Sequence, residues 1–210
     1  VYIGSIRSHD GEVTGQVNLE NYSYKLAGDL TAQPPVPLTL DLSQGSFEIG
    51  TRYGTTQYQN IREMKGSTGS ETIIGGSEHN WIGSGGGNDI LTGGGDRDGF
   101  VEIKPTSIVT ITDYENFEDI HFNKDWVNNE DWNFTVDDVS SQVSVSKESG
   151  KTYLSITTDN HNKSNVVTID NGEFDILSAI FEIDLDHNNN NDTVMKLQLW
   201  DGNSSGDDFY

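Results

Sequence analysis

Four consecutive nine-residue units fill residues 66–101: GSTGSETII, GGSEHNWIG, SGGGNDILT and GGGDRDGFV. No gaps interrupt the register. The eighth residue of each unit is large and apolar: Ile73, Ile82, Leu91 and Phe100. The sixth is a carboxylate or its amide: Glu71, Asn80, Asp89 and Asp98. The first four positions are mostly Gly or Ser. A flexible Gly/Ser linker has no reason to place an Ile, Leu or Phe at every ninth position. A unit of this length holds a tight turn of about six residues and a strand of about three. Two units then make one coil, so the first stacks on the third and the second on the fourth. This predicts that Ile73 lies over Leu91 and Ile82 over Phe100. It also pairs Glu71 with Asp89 and Asn80 with Asp98 across the gaps between coils.

Glycine in the turns supplies positive φ and lets carbonyls converge. The sixth-position carboxylate adds formal charge beside them. Oxygen-only ligands around a flexible loop suit Ca²⁺, a hard cation that takes six to eight oxygens. The pattern resembles the G-G-x-G-x-D-x-U-x nonapeptide of the repeats-in-toxin (RTX) family, and the resemblance implies a parallel β-roll loaded with several calcium ions. The implied ligands are Gly69, Glu71, Gly76, Asn80, Gly85, Gly87, Asp89, Gly94, Asp96 and Asp98. Units one and two depart from the family pattern. Glu71 and Asn80 stand where the family has Asp; Ser67 in unit one and Ser84 at the start of unit three replace glycines. The first coil is therefore expected to bind calcium more weakly than the second. The run YQNIREMKGS that leads into the repeats is similar to the approach in RTX proteins. After them, Ile111, Asp113, Tyr114, Asp119, Ile120 and Phe122 resemble the family's closing I-x-D-F-x-x-x-x-D-x-I run. That run is expected to cap the open end of the roll, burying its last apolar layer and blunting a sheet edge. Asp113 and Asp119 join the candidate metal ligands.

Charge points the same way. The chain has 210 residues, 12 Lys+Arg against 34 Asp+Glu, and a net charge of −22. Its hydrophobic fraction is 32% and its mean hydropathy −0.58. A chain so self-repelling is either disordered or dependent on bound cations. Its 4 Trp, 8 Tyr and 8 Phe, with long alternating stretches, favour the cation-dependent fold. The same charge repels phosphate and excludes nucleic acid as a partner. There is no cysteine, so metal is the staple available to a secreted domain, and export in an unfolded state, as in RTX proteins, is compatible. No run approaches 18 apolar residues, which predicts no membrane insertion. VYIGSIRSHD lacks Met and a signal-like core. With WDGNSSGDDFY at the other end, the chain reads as a piece of a longer one.

The expected fold is all-β: a short parallel β-roll of nonapeptide repeats embedded in a β-sandwich-like domain with minor helix. Three regions are expected. Residues 1–37 hold N-terminal strands, with Tyr22, Tyr24 and Leu26 on one face, and a Pro-rich connector, QPPVP. Residues 38–125 hold the roll and flanking strands, with alternation through Leu38, Leu40 and Leu42. Residues 126–210 are β-rich: a hairpin turning at Glu148 to Lys151, strands in SNVVTID and TVMKLQLW, and helical turns in FDILSAIF, where Phe174, Leu177, Ile180 and Phe181 are spaced for one face.

Two late segments are further cation candidates. Asp184, Asp186, Asn188, Asn190 and Asp192 place oxygens at every second position, as in the first half of an EF-hand loop, although Asn189 replaces the usual glycine and no bidentate Glu follows. Asp201, Asn203 and Ser205, with Gly206 in sixth place and Asp207 after it, give a second such run. A polar surface loop explains either one equally well. GNSSG formally matches a nucleophile elbow, but that motif needs a following helix and a His–acid pair in order, and none is visible. The histidines show no zinc spacing. No catalytic residue is expected, and the chain is read as a non-enzyme.

The resemblance fixes cation and compartment, secreted or at the bacterial cell surface, rather than task. The short roll, embedded between non-repeat flanks, favours a ligand-binding module of a large RTX adhesin, monomeric within a longer chain and used in cell attachment. Its partner is an extracellular peptide or glycan, with Trp81, Tyr53 and Trp126 as candidate contacts beside Tyr58 and Trp132. The alternative is a non-catalytic accessory or secretion module of a secreted protease, lipase or polysaccharide epimerase.

Overall fold

The structure, a computed structural model, describes residues 7–9, 12–18, 38–41, 43, 46–51, 54–59, 61–66, 68–123, 142–157, 162–185 and 191–203. Before the repeats lie β1 (Arg7–His9), β2 (Glu12–Asn18), β3 (Leu38–Asp41), β4 (Ser46–Thr51), β5 (Gly54–Gln59) and β6 (Ile61–Lys65). The repeats supply β7 (Glu71–Ile74), β8 (Trp81–Gly83), β9 (Gly87–Thr92) and β10 (Gly99–Ile103). After them come β11 (Ser107–Ile111), β12 (Asp119–Phe122), β13 (Val143–Glu148), β14 (Lys151–Thr157), β15 (Asn162–Ile169), β16 (Asp175–Leu185) and β17 (Asn191–Trp200).

From β6 to β12 the chain alternates between two sheets. β6, β8, β10 and β12 are parallel neighbours in one, and β7, β9 and β11 in the other. This is a parallel β-roll. Its stacking follows the period: Ile73 pairs in register with Leu91, and Ile82 with Phe100. All four are fully buried. In such a strand the inward residues alternate with outward ones, so one apolar residue per unit suffices to build a column.

The columns run beyond the repeats. One continues from Ile73 through Leu91 and Ile111 to Ile169, and the backbone of β3 pairs in register with β7 beside it. The other continues from Met64 through Ile82, Phe100 and Ile120 to Leu197. The closing run over Ile111–Phe122 therefore adds a further coil, and later strands cover it. β15 joins β11 in parallel, and β17 joins β12 antiparallel. The two sheets hold eight and seven strands, and β4–β5 forms a separate hairpin. Strands from all three expected regions thus share the same two sheets. Tyr114, expected in the cap, is buried beneath this last coil. Its hydroxyl donates to the Glu118 carbonyl at 2.7 Å and accepts from the Leu199 N–H at 2.9 Å.

The hairpin expected at Glu148 to Lys151 is present between β13 and β14. Ser149 (φ 57°) and Gly150 (φ 77°) form its two-residue turn, the positive-φ pair that matches strand twist. FDILSAIF departs from expectation. Asp175–Leu185 is a strand paired along its length with β17. Phe174 is buried while Leu177 is 46% exposed, so the supposed helical face does not exist. A short apolar run reads as helix or strand from spacing alone, and the ten-residue partner strand decides it. QPPVP, Tyr22, Tyr24 and Leu26 lie outside the described residues.

Candidate metal centre

Two stacks of turns edge the roll. One contains residues 66, 68–70, 84–86 and 104–106. The other contains 75–80, 93–98 and 112–118. In each, the sixth-position side chain bridges neighbouring coils. Asp89 Oδ1 accepts the Glu71 N–H at 2.9 Å, and Asp98 Oδ1 accepts the Asn80 N–H at 2.6 Å. These are the pairings that the repeat predicts. Asn80 instead turns inside its own unit, where Oδ1 accepts the Gly76 N–H at 2.7 Å.

The glycines are required by crowding. A Cβ on Gly66 would meet the Ser84 carbonyl and, at 2.9 Å, Glu71 Oε2. One on Gly75 would meet the Gly93 carbonyl and Asn80, and one on Gly93 would meet Asp98 Oδ2. The first position of a unit is thus covered by the sixth-position side chain and approached by the next coil. The Gly69 carbonyl abuts Gly87 (φ 85°), and the Gly76 carbonyl abuts Gly94 (φ 106°). Gly85 also has positive φ, at 74°. The Gly76 carbonyl accepts the Gly95 N–H at 2.9 Å.

The second carboxylate oxygens are the unusual feature. Asp89 Oδ2 and Asp98 Oδ2 are buried and have no hydrogen-bond partner. Burial, with Glu71 nearby, pushes the Asp89 carboxyl up to about 8. Burial pushes Asp98 up to about 7, and the charges of Asp113, Asp96 and Glu115 add to it. Buried unpaired anions are costly unless neutralised by a proton or a cation. A carboxylate with one oxygen fixed by backbone and the other open, among crowded carbonyls, fits a hard divalent ion. Among the described residues no three His, Asp or Glu side chains form a metal cluster. The oxygens offered here come from backbone as much as from side chains.

Glu118 continues the second stack and was not foreseen. Its Oε1 accepts the Asp98 N–H at 3.1 Å, and its Oε2 accepts the Glu115 N–H at 2.8 Å. Burial pushes it up to about 8. The signal was available: Glu118 follows Asp98 by the same step that separates Ile120 from Phe100. Asp113 caps backbone, accepting from Gly93 and Gly94 N–H at 2.8 and 2.9 Å. Asp96 is exposed at φ 66° and accepts the Arg97 N–H. Asp119 opens β12 directly after the 112–118 turn, and its N–H donates to the Asp98 carbonyl at 3.1 Å. Its carboxylate pairs with Lys196 at 3.0 Å and accepts from Gln198 Nε2 at 2.8 Å.

The late loops look different from their sequence reading. Asp184 and Asp192 are opposed partners in the β16–β17 ladder, so they are strand residues and not members of one loop. Asp186, Asn188 and Asn190 lie outside the described residues, as do Ser205, Gly206 and Asp207. Asp201 accepts the Asn203 N–H at 2.8 Å and Asn116 Nδ2 at 3.1 Å, and these hold its carboxyl below the usual range. It ties the chain to the 112–118 turn. Trp81 is on the outer face, as expected, but half-buried. Its indole covers Gly99 of the next coil and meets His79 and His121 edge-on at 5.3 and 5.5 Å. Tyr53, Trp126 and Trp132 lie outside the described residues, and Tyr58 sits on β5 opposite Phe47.

Compared with protein-family models, curated proteins and solved structures, the chain finds no match.

Proposed function

We propose that this chain is a calcium-dependent, non-catalytic β-roll module of RTX type, working outside the cell as a ligand-binding part of a large bacterial adhesin. The observation that carries the calcium reading is the pair of buried, unpartnered oxygens on Asp89 and Asp98, the second of them crowded by Gly93. Asp89 and Asp98, with turn carbonyls, would hold the ions. Calcium would supply the positive charge that a chain of net −22 lacks. Outside the cell calcium is abundant enough to saturate weak sites, so the roll reaches its full stability only after export.

The binding role is supported by apolar side chains left exposed on the outer face. Ile90 and Ile108 are 45% and 43% exposed on neighbouring strands. The partner class is an extracellular peptide or glycan. The accessory module of a secreted enzyme remains the second reading, favoured by the resemblance of the repeats.

The test is a calcium titration of the chelator-treated chain, followed by circular dichroism and calorimetry. Calcium should raise the melting temperature and the β signal. Identical spectra and melting temperatures with and without calcium would end the reading. Peptide and glycan arrays probed with and without calcium then separate adhesin from accessory module. Calcium-dependent capture marks the former, and no hit on either array marks the latter.

A further inference from the structure

The stack formed by residues 66, 68–70, 84–86 and 104–106 changes character at its third turn. The first two turns carry glycines and are bridged by Asp89. The third reads Lys104-Pro105-Thr106, with neither glycine nor carboxylate. Val109 takes the ladder position that Asp89 holds one coil earlier. A metal ion there would have carbonyls but no anion. The structure puts another cation in that place. The Lys163 ammonium, carried at the start of β15, donates to the Pro105 carbonyl at 2.9 Å and to the Ser107 carbonyl at 2.5 Å. Lys163 is half-buried, and burial lowers its affinity for its proton.

The opposite stack ends in a related way. In its third turn, 112–118, the Phe117 carbonyl accepts from Arg97 Nη2 at 2.6 Å. A cationic side chain thus meets a carbonyl of the third turn on each edge, although 112–118 also keeps the bridging Glu118 carboxylate.

We propose that Lys163 is a built-in cation that closes the metal-bearing stack: its ammonium takes the position of the next ion and fixes the third turn without calcium. This deepens the calcium reading and rests on it. An ammonium and a hard metal ion both neutralise converging carbonyl dipoles. The ammonium is tethered, offers three directed donors, and does not depend on dissolved ions. The first two coils answer to calcium, whereas the third coil and β15 are clamped by the chain itself. The turn sequence follows from this division. On this edge the carboxylate and glycine cradle stops where the cation is supplied by the chain.

Three variants test the assignment by thermal melting and calorimetric calcium counting. Lys163→Met removes the charge and should lower the melting temperature by about 5 °C, equally in chelator and in calcium. Lys163→Arg keeps a cation and should retain most of the wild-type value. Lys163→Glu replaces the cation by a carboxylate beside two carbonyls. It should lose more than Lys163→Met in chelator, regain stability in calcium, and bind one ion more than wild type. If Lys163→Glu does not fold in chelator, its refolding on adding calcium is the readout. A Lys163→Met chain that melts like wild type in chelator overturns the proposal. So does a Lys163→Glu chain that gains neither ion nor stability from calcium. Failure of the calcium reading itself shows separately, as a wild-type chain that takes up no calcium, and the chelator arm of Lys163→Met is unaffected by it.

Discussion

Replacing Asp89 by Asn should stabilise the chain without calcium and destabilise it with calcium. Asp89 Oδ1 accepts the Glu71 N–H, while Oδ2 is buried without a partner. Asn keeps the first interaction and removes the buried charge. Asn80 already fills the sixth position of its unit and uses Oδ1 on backbone, so the turn accommodates an amide. The rise of the Asp89 carboxyl from 3.8 to about 8 sets a ceiling of about 6 kcal/mol at full desolvation. Solvent at the roll's edge screens this, leaving about 2–3 kcal/mol. For a chain of this size that is a melting shift of about 4–12 °C.

The dependence on pH has a definite sign. A carboxyl whose folded pKa lies above its unfolded one favours the folded state fully below about pH 4. That contribution is lost as the pH rises towards 8, where Asp89 ionises in the fold. The advantage of Asp89→Asn in chelator should therefore be full at pH 8 and nearly absent at pH 4. In saturating calcium the order reverses, because the ion needs the ionised carboxylate and the amide binds it more weakly. The assay is thermal melting of both chains at pH 4, 6 and 8, in chelator and in calcium. A variant that melts below wild type in chelator at pH 8, or by the same margin at pH 4 and 8, refutes the reasoning.

Two further outcomes follow from packing. Leu91→Ala opens the column between Ile73 and Ile111 and should cost about 2–5 kcal/mol, whereas Ile90→Ala on the exposed face of the same strand should stay within about 0.5 kcal/mol; comparable losses in denaturant melts would contradict the columns. Gly94→Ala places a methyl against the Gly76 carbonyl at φ 106° and should cost about 3 kcal/mol, against about 1 kcal/mol for Gly150→Ala, which meets nothing within 4 Å; equal costs would show that the coils are not in close contact there.

The nonapeptide period by itself determined the roll, its two-unit coil, the registers of Ile73 on Leu91 and Ile82 on Phe100, and the bridging by Asp89 and Asp98. A repeat encodes contacts between residues a fixed step apart, so its register is written in the chain. The hairpin at Ser149–Gly150 was legible for a similar reason, because both ends of the contact are close in sequence. The tertiary structure alone decided what carries no period. Ile169 extends the Leu91 column, and Leu197 the Phe100 column, from strands far along the chain. FDILSAIF became a strand because β17 was there to pair with it. Trp81 became a cover for Gly99, and Asp119 a partner of Lys196, once the next strand lay beside them. Lys163 on the third turn belongs with these: nothing local marks a lysine whose ammonium will meet carbonyls from another strand, because that contact exists only after the sheet has assembled.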